Sequence, residues 1–215
     1  MERLFDIVTF DCYGTLIDWE TGIASAFLST IPGLHRDEIL HAYAAIEPVV
    51  EHERYRSYRE VLTETATRVA QALGRPLRDG AFLAESLPSW RPFADTNAAL
   101  EHLHAAGYRL GILSNTDDDL IAATRRHFTV DFELVITAQQ VRSYKPAHGH
   151  FLAAKERIGN ARWLHAAQSN FHDVVPANEL AIPTAWVNRH GEAPRPGGTP
   201  TYEVRDMTAL AALLA

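Results

Sequence analysis

The chain has 215 residues, of which 47% are hydrophobic, and carries a formal net charge of -7 at pH 7. This composition predicts a globular protein with a sizeable core, organised as one compact domain that carries a large insertion. Because lysine and arginine are scattered along an acidic chain, nucleic acid is not an expected partner, and a small molecule is.

The cysteine content and the hydropathy pattern indicate the cellular compartment. The single cysteine, Cys12, excludes an internal disulfide and a cysteine-rich metal site, and is read as a packing residue. Neither a leader segment nor an apolar run of about 18 residues is recognised, so export and membrane insertion are not expected. The expected compartment is the cytoplasm.

The predicted elements begin with a strand at residues 7–10, an apolar run without alternation that is typical of a strand buried on both faces of a parallel sheet. Residues 17–87 show helical spacing and predict a helical insertion. Helices and strands alternate after it, with helices at 95–106, 117–127, 149–158 and 173–180 and strands at 108–113, 134–136, 163–167 and 184–187. A Gly- and Pro-rich surface loop at 191–200 then precedes a last helix near 206–214.

This order of elements predicts an α/β fold, a doubly wound, Rossmann-like parallel sheet with an inserted helical cap. The expected core comprises residues 1–15 and 91–215, and the expected cap comprises residues 16–90. Ligand sites in open α/β sheets lie beyond the carboxyl ends of the strands, so the polar residues at those ends are expected to converge.

Five polar residues stand at or near the predicted strand ends. Asp11 leaves the first strand into a tight turn, which suits a carboxylate nucleophile. Ser114 and Asn115 offer a hydroxyl and an amide to an anionic substrate group. Lys145 would favour the ionised carboxylate of Asp11, and Asp173 could orient or deprotonate water. Taken singly, each could be a turn, cap or surface residue, and their shared position favours a site.

Four motifs resemble those of the haloacid dehalogenase superfamily in order and approximate spacing: Asp11-x-Tyr13-Gly14-Thr15-Leu16, Ser114-Asn115, Lys145-Pro146 and Ser169-Asn170-x-x-Asp173. The resemblance spans nearly the whole chain and is strongest to the type II (S)-2-haloacid dehalogenase branch. It implies that Asp11 is the nucleophile, supported by Thr15 and Lys145, and that Asp173 activates water. It also implies substrate contacts from Tyr13, Ser114, Asn115 and Asn170.

Two positions differ from the phosphatases of the superfamily. Those enzymes carry a second Asp two residues after the nucleophile, where this chain has Tyr13, and an acidic metal ligand five residues before the position of Asp173, where it has Gln168. Without these carboxylates a magnesium site is weakened. We therefore expect no metal and no cofactor, with Mg²⁺ required only in the phosphatase alternative.

The resemblance implies a covalent aspartyl ester formed when Asp11 displaces halide from C2 of a short 2-haloacid, so that the partner is a small carboxylic acid. Related enzymes often dimerise, which makes a homodimer an expected option. The position of the halide-binding Arg of that branch falls on Ala42, and the positive charge could instead come from one of five other cap residues: His41, His52, Arg54, Arg56 and Arg59. The mixed-charge run 52–60 predicts a solvated helix face or, alternatively, a cap wall that contributes Tyr58 and one Arg to the pocket. Another small carboxylic acid, a phosphate ester and a non-catalytic binding role stay open as alternatives.

Overall fold

The computed structural model describes residues 3–214 and contains one six-stranded sheet in the order β3-β2-β1-β4-β5-β6, in which all neighbouring strands are parallel. The strands are β1 (Ile7–Phe10), β2 (Arg109–Ser114), β3 (Leu134–Thr137), β4 (Trp163–Ala167), β5 (Thr184–Val187) and β6 (Tyr202–Val204). The predicted doubly wound α/β architecture is confirmed, because the strand order reverses direction at β1.

Ten α-helices are described: α1 (Trp19–Thr30), α2 (Arg36–Glu53), α3 (Tyr58–Ala72), α4 (Ala81–Ser86), α5 (Thr96–Ala105), α6 (Asp118–Thr124), α7 (Ala138–Val141), α8 (Gly149–Ile158), α9 (Val175–Glu179) and α10 (Met207–Leu214). The first four lie between β1 and α5, within the predicted cap. Residues 3–214 contain no helix with the length and apolar character needed to span a membrane.

Alternation along β1 places side chains on both faces of the sheet. Val8 and Phe10 belong to a core cluster that includes Leu103 of α5 and Leu210 of α10, whereas Ile7 belongs to a second cluster that includes side chains of α8 and α9. Successive residues of a strand point to opposite faces, so these clusters fill the two helix layers. Both layers hold the carboxyl end of β1 at the centre of the sheet.

The chain leaves and re-enters the core through two paired segments. Ile17 forms an antiparallel bridge with Pro92, and the amide of Asp18 donates to the carbonyl of Arg91 at 2.9 Å. The amide of Phe93 donates back across the pair, to the carbonyl of residue 16 at 3.1 Å. This pairing lies beside the predicted junctions at 15/16 and 90/91; the limits of the two domains stay predictions.

Three details differ from the sequence expectations. Strand β6 was not predicted, and only three residues form it, at the edge of the sheet. The predicted helix 173–180 begins as a π-helical turn at Asn170–Val174 before α9. The predicted helix 117–127 ends as a 3-10 turn at Arg125–His127.

Candidate active site

Polar side chains converge where β1, β2 and β4 end, as expected for the switch point of a doubly wound sheet. Asp11 follows β1, Ser114 ends β2, and Asp173 lies in the π-helical turn after β4. Lys145 reaches the same place from the segment between α7 and α8. These four residues line one cavity of about 270 Å³ between the sheet and the helices of the insertion.

Lys145 is the centre of this cluster and is 1% exposed. Its ammonium group donates to Asp11 Oδ1 at 2.9 Å, to Asp173 Oδ1 at 2.6 Å and to the carbonyl of Leu113 at 2.9 Å. Both carboxylates raise the pKa of Lys145 against the effect of its burial. Since an ammonium has three donors, the group is saturated and holds two carboxylates with one positive charge.

The second oxygen of Asp11 is held by the turn that follows it. Thr15 donates to Asp11 Oδ2 at 2.9 Å and accepts from the amide of Gln168 at 2.9 Å. Arg189 fixes the same turn by donating to the carbonyl of Thr15 at 3.0 Å while it pairs with Asp95. Both carboxylate oxygens of the predicted nucleophile are therefore oriented.

The surroundings shift the pKa values of Asp11 and Asp173 in opposite directions. Burial raises the pKa of Asp11 above its ordinary 3.8, and the neighbouring Asp173 adds to this, although Lys145 opposes it. Burial would also raise the pKa of Asp173, but Lys145 and His165 together hold it below its ordinary value. Asp173 is thus the more acidic of the two, and Asp11 is the first to take up a proton as the pH falls.

Asp173 also has a partner that the sequence did not indicate. His165 Nε2 lies 2.9 Å from Asp173 Oδ1, and His165 Nδ1 lies 2.8 Å from the hydroxyl of Thr9, which accepts from Trp163 Nε1 at 2.7 Å. These residues sit within strands that read simply as buried runs. Asp173 Oδ2, by contrast, is buried and has no hydrogen bond to residues 3–214, so this oxygen can accept from water or substrate.

The residues predicted to bind substrate do not all face the cavity. Tyr13, Tyr58, Ser114 and Asn115 line it. The side-chain carbonyl of Asn115 accepts from the backbone N–H of Lys145 at 2.7 Å. The side-chain NH₂ of Asn115 donates to the backbone carbonyl of Lys145 at 3.1 Å.

Asn170 lies outside the lining of this cavity. Its side chain donates to the carbonyl of Gly198 at 2.8 Å and accepts from the amide of Arg195 at 3.0 Å, so it fastens the 195–198 loop to the turn after β4. A substrate contact of Asn170 stays a prediction.

The insertion contributes the opposite wall of the cavity. Glu47 and Glu51 of α2 line it, together with the aromatic side chains of Trp19, Tyr43 and Trp90. None of these was predicted, because which face of a cap helix meets the core depends on how the cap docks. The five basic cap residues considered as substitutes for the halide-binding Arg do not line the cavity, and among the described lining residues Lys145 is the one lysine or arginine.

Burial perturbs the cap carboxyl groups. It raises the pKa of Glu47 to about 7, against a hydrogen bond from Tyr58 that favours the ionised form. Burial raises the pKa of Glu51 further above its ordinary value, with a contribution from the charge of Glu47. His172 also lines the cavity, and burial lowers its pKa to about 4, so it is neutral at pH 7.

The donor set does not fit a magnesium ion. Mg²⁺ is usually held by carboxylate oxygens in octahedral geometry. Here Lys145 lies between the facing oxygens of Asp11 and Asp173, and Gln168 is neutral. In the described part of the chain, no group of three His, Cys, Asp or Glu side chains has the arrangement of a metal site.

The fold and the site together define a doubly wound α/β protein with a buried aspartate at a strand end and inserted helices over it. A family profile described as haloacid dehalogenase-like hydrolase matches residues 5–170, and the chain belongs to this family. It is similar to the (S)-2-haloacid dehalogenases of Pseudomonas putida and Pseudomonas fluorescens, at 27% and 29% identity; each match covers 94% of this chain, and 93% and 92% of the respective relative.

Solved structures show the same fold at lower identity. The L-2-haloacid dehalogenase from Xanthobacter autotrophicus superposes with a TM-score of 0.83 at 22% identity, over 97% of this chain and 98% of that one. A magnesium-bound putative hydrolase of the superfamily from Bacillus subtilis superposes with a TM-score of 0.81 at 20% identity, over 99% of both chains.

Proposed function

We propose that this hydrolase removes a leaving group, halide in the simplest case, from C2 of a short carboxylic acid through a covalent ester on Asp11. The observation that carries the proposal is the single ammonium of Lys145 shared by Asp11 and Asp173. One ammonium between two carboxylates supports a pairing of nucleophile and water-orienting group in which lysine supplies the positive charge.

In the first step an oxygen of Asp11 attacks C2, the carbon–halogen bond breaks, and halide departs with the bonding electrons. The product is an ester between Asp11 and the substrate carbon. Thr15 and Lys145 orient the attacking carboxylate and hold it ionised, although burial raises its pKa. Their contribution is positioning and charge stabilisation.

In the second step water attacks the carbonyl carbon of the ester. Asp173 Oδ2, which has no hydrogen bond to residues 3–214, is the oxygen that accepts the proton of this water. Asp173 Oδ1 is anchored by Lys145 and His165, so the carboxylate keeps a fixed direction. Hydrolysis returns Asp11 and releases a 2-hydroxy acid.

The contacts disfavour the phosphatase alternative. Tyr13 stands where a phosphatase would have its acid–base carboxyl group, and its hydroxyl lies 2.9 Å from Thr124 Oγ1. Burial holds the pKa of Tyr13 well above its ordinary value, so this phenol is a poor proton donor to a leaving alcohol. The names of the Pseudomonas relatives support a 2-haloacid as the substrate type.

The test is isotope incorporation during turnover in H₂¹⁸O with (S)-2-chloropropionate. Because water attacks the aspartyl carbonyl, ¹⁸O is expected to accumulate in the peptide that contains Asp11, with halide released in step. Asp173→Asn is expected to accumulate the ester, and Asp11→Asn to release no halide. Asp131→Asn, at an exposed position, is the matched control.

Label that appears only in the hydroxy acid, with none in the Asp11 peptide, would refute the covalent route. Turnover of p-nitrophenyl phosphate that depends on Mg²⁺, with no halide release from 2-haloacids, would establish the phosphatase alternative instead.

A further inference from the structure

The wall opposite Asp11 carries carboxyl groups that the proposed chemistry does not use. Glu51 lines the cavity, is 8% exposed, and has neither a hydrogen bond nor an ion pair to any residue in 3–214. Glu47 lies one helical turn earlier on α2 and lines the same cavity. A buried carboxylate without a partner is costly, so Glu51 calls for a positive or hydrogen-bond-donating group.

The hydroxyl of Tyr58 donates to Glu47, but no hydrogen-bond donor or ion-pair partner within residues 3–214 contacts Glu51. The three donors of Lys145 are occupied by Asp11, Asp173 and the carbonyl of Leu113. Its one positive charge already faces two core carboxylates. His172 is neutral at pH 7, because burial lowers its pKa to about 4. The cavity therefore carries an excess of acidic groups.

The rest of the cavity lining also suits a cation. Aromatic faces attract ammonium groups, most strongly in desolvated sites. The rings of Trp19 and Tyr43 lie 5.6 Å apart and those of Tyr13 and Trp90 lie 6.0 Å apart, all on the cavity lining.

The backbone of α2 adds an acceptor to this wall. Pro48 lies inside the helix and has no N–H to donate to the carbonyl of Ala44, four residues earlier. Both residues line the cavity. The carbonyl of Ala44 thus lacks its usual helical donor on the same wall as Glu47 and Glu51.

We propose that the substrate carries an ammonium or similar cationic group that lies against Glu47 and Glu51, at the end remote from the reacting carbon. For the reacting end the inference rests on the proposed function, in which Asp11 attacks C2 of a short acid. The preferred substrate is then a zwitterionic short acid, and a simple 2-haloacid is a poorer one.

The test is the binding of three unreactive acids that differ at one end: 4-aminobutyrate with a positive end, pentanoate with a neutral end and glutarate with a negative end. Isothermal calorimetry on the full chain gives the dissociation constants. Because a hydrogen bond to a charged group contributes about 1.5–3 kcal/mol, 4-aminobutyrate is expected to bind at least about tenfold more tightly than pentanoate. Glutarate is expected to bind most weakly.

Glu51→Gln and Glu47→Gln are expected to remove most of this preference while they leave the affinity for pentanoate nearly unchanged. Asp37→Asn, an exposed acidic position on the same helix, is the matched control and is expected to keep the preference. Thermal melting of each variant verifies that it is folded. The dissociation constants of the three acids for the unaltered chain test the charge preference without any variant.

Tighter binding of pentanoate or glutarate than of 4-aminobutyrate would overturn the inference, as would a preference that survives in both glutamine variants. These acids carry no leaving group, so the result is independent of ester formation. A failure of the covalent route would appear only in the ¹⁸O experiment.

Discussion

Replacing Lys145 with methionine would leave Asp11 and Asp173 as two buried carboxylates without a counter-charge. The ammonium lies 2.9 Å from the first and 2.6 Å from the second, and the lysine side chain is 1% exposed. Methionine keeps much of the side-chain volume, so the change removes charge and hydrogen bonds with little loss of packing.

The expected loss of stability follows from the burial of the cluster. Removing one partner of a buried ion pair lowers the free energy of unfolding by about 3–5 kcal/mol. Two carboxylates lose their partner here, but one of them can take up a proton, so the loss at pH 7 is expected to stay within about 3–5 kcal/mol. Domains of this kind have about 5–15 kcal/mol in all, so the variant is expected to fold with reduced stability.

The loss is expected to depend on pH. In the unaltered chain the pKa of Asp173 lies below 3.8, so its ionised form contributes stability that is present above pH 3.8 and lost as the pH falls. Without Lys145 both carboxyl groups would have raised pKa values in the folded state. The variant should then lose stability as the pH rises above about 4, and match the unaltered chain more closely below it.

Urea unfolding at pH 4, 5.5 and 7.5 measures this difference. Lys155→Met is the matched control, since Lys155 is the other lysine of the chain and lies exposed on α8. A loss below about 1 kcal/mol at pH 7.5, the range of an exposed pair, would refute the reasoning. A loss of the same size at all three pH values would do so as well.

Three further outcomes are expected. Thr15→Val removes the donor to Asp11 Oδ2, so ester formation should slow by about tenfold or more, as judged by single-turnover halide release, and Thr15→Ser should restore it. His165→Leu removes the neighbour of Asp173 Oδ1, so ester hydrolysis should slow more than ester formation. A larger burst of halide release would show this difference. Equal slowing of both steps would contradict it. Asp173→Asn removes a charge that raises the pKa of Asp11, so the acid limb of the ester-forming step should move to lower pH, and an unmoved limb would argue against the coupling.

The core of the fold could be predicted because the central strands are mostly apolar, show no alternation of apolar and polar residues, and are buried on both faces. Strand β6 could not be predicted, for the opposite reason. Tyr202–Val204 has three residues, pairs with β5 alone and is only partly buried, so its sequence carries no strong apolar signal.

The core half of the site was predictable because parallel topology brings strand ends together whatever the packing details. Asp11 and the turn that carries Asp173 meet for this reason, whereas Lys145 reaches them from the segment between α7 and α8, where the motif resemblance indicated it. The contact between His165 and Asp173 depends on side-chain direction within a buried strand. The placement of Glu51 depends on how α2 docks over the sheet, which no local pattern specifies.

The core and the insertion each supply one side of the cavity. The proposed reacting groups come from core segments at the carboxyl edge of the sheet, whereas one helix, α2, supplies the facing acidic surface. The chain passes between the core and the insertion at two adjacent segments, which are joined by the antiparallel bridge between Ile17 and Pro92. Under the two proposals, chemistry and charge recognition are encoded in separate stretches of chain, so a chimera with a relative's residues 16–90 is expected to transfer ligand charge preference while keeping the proposed reacting groups of the core.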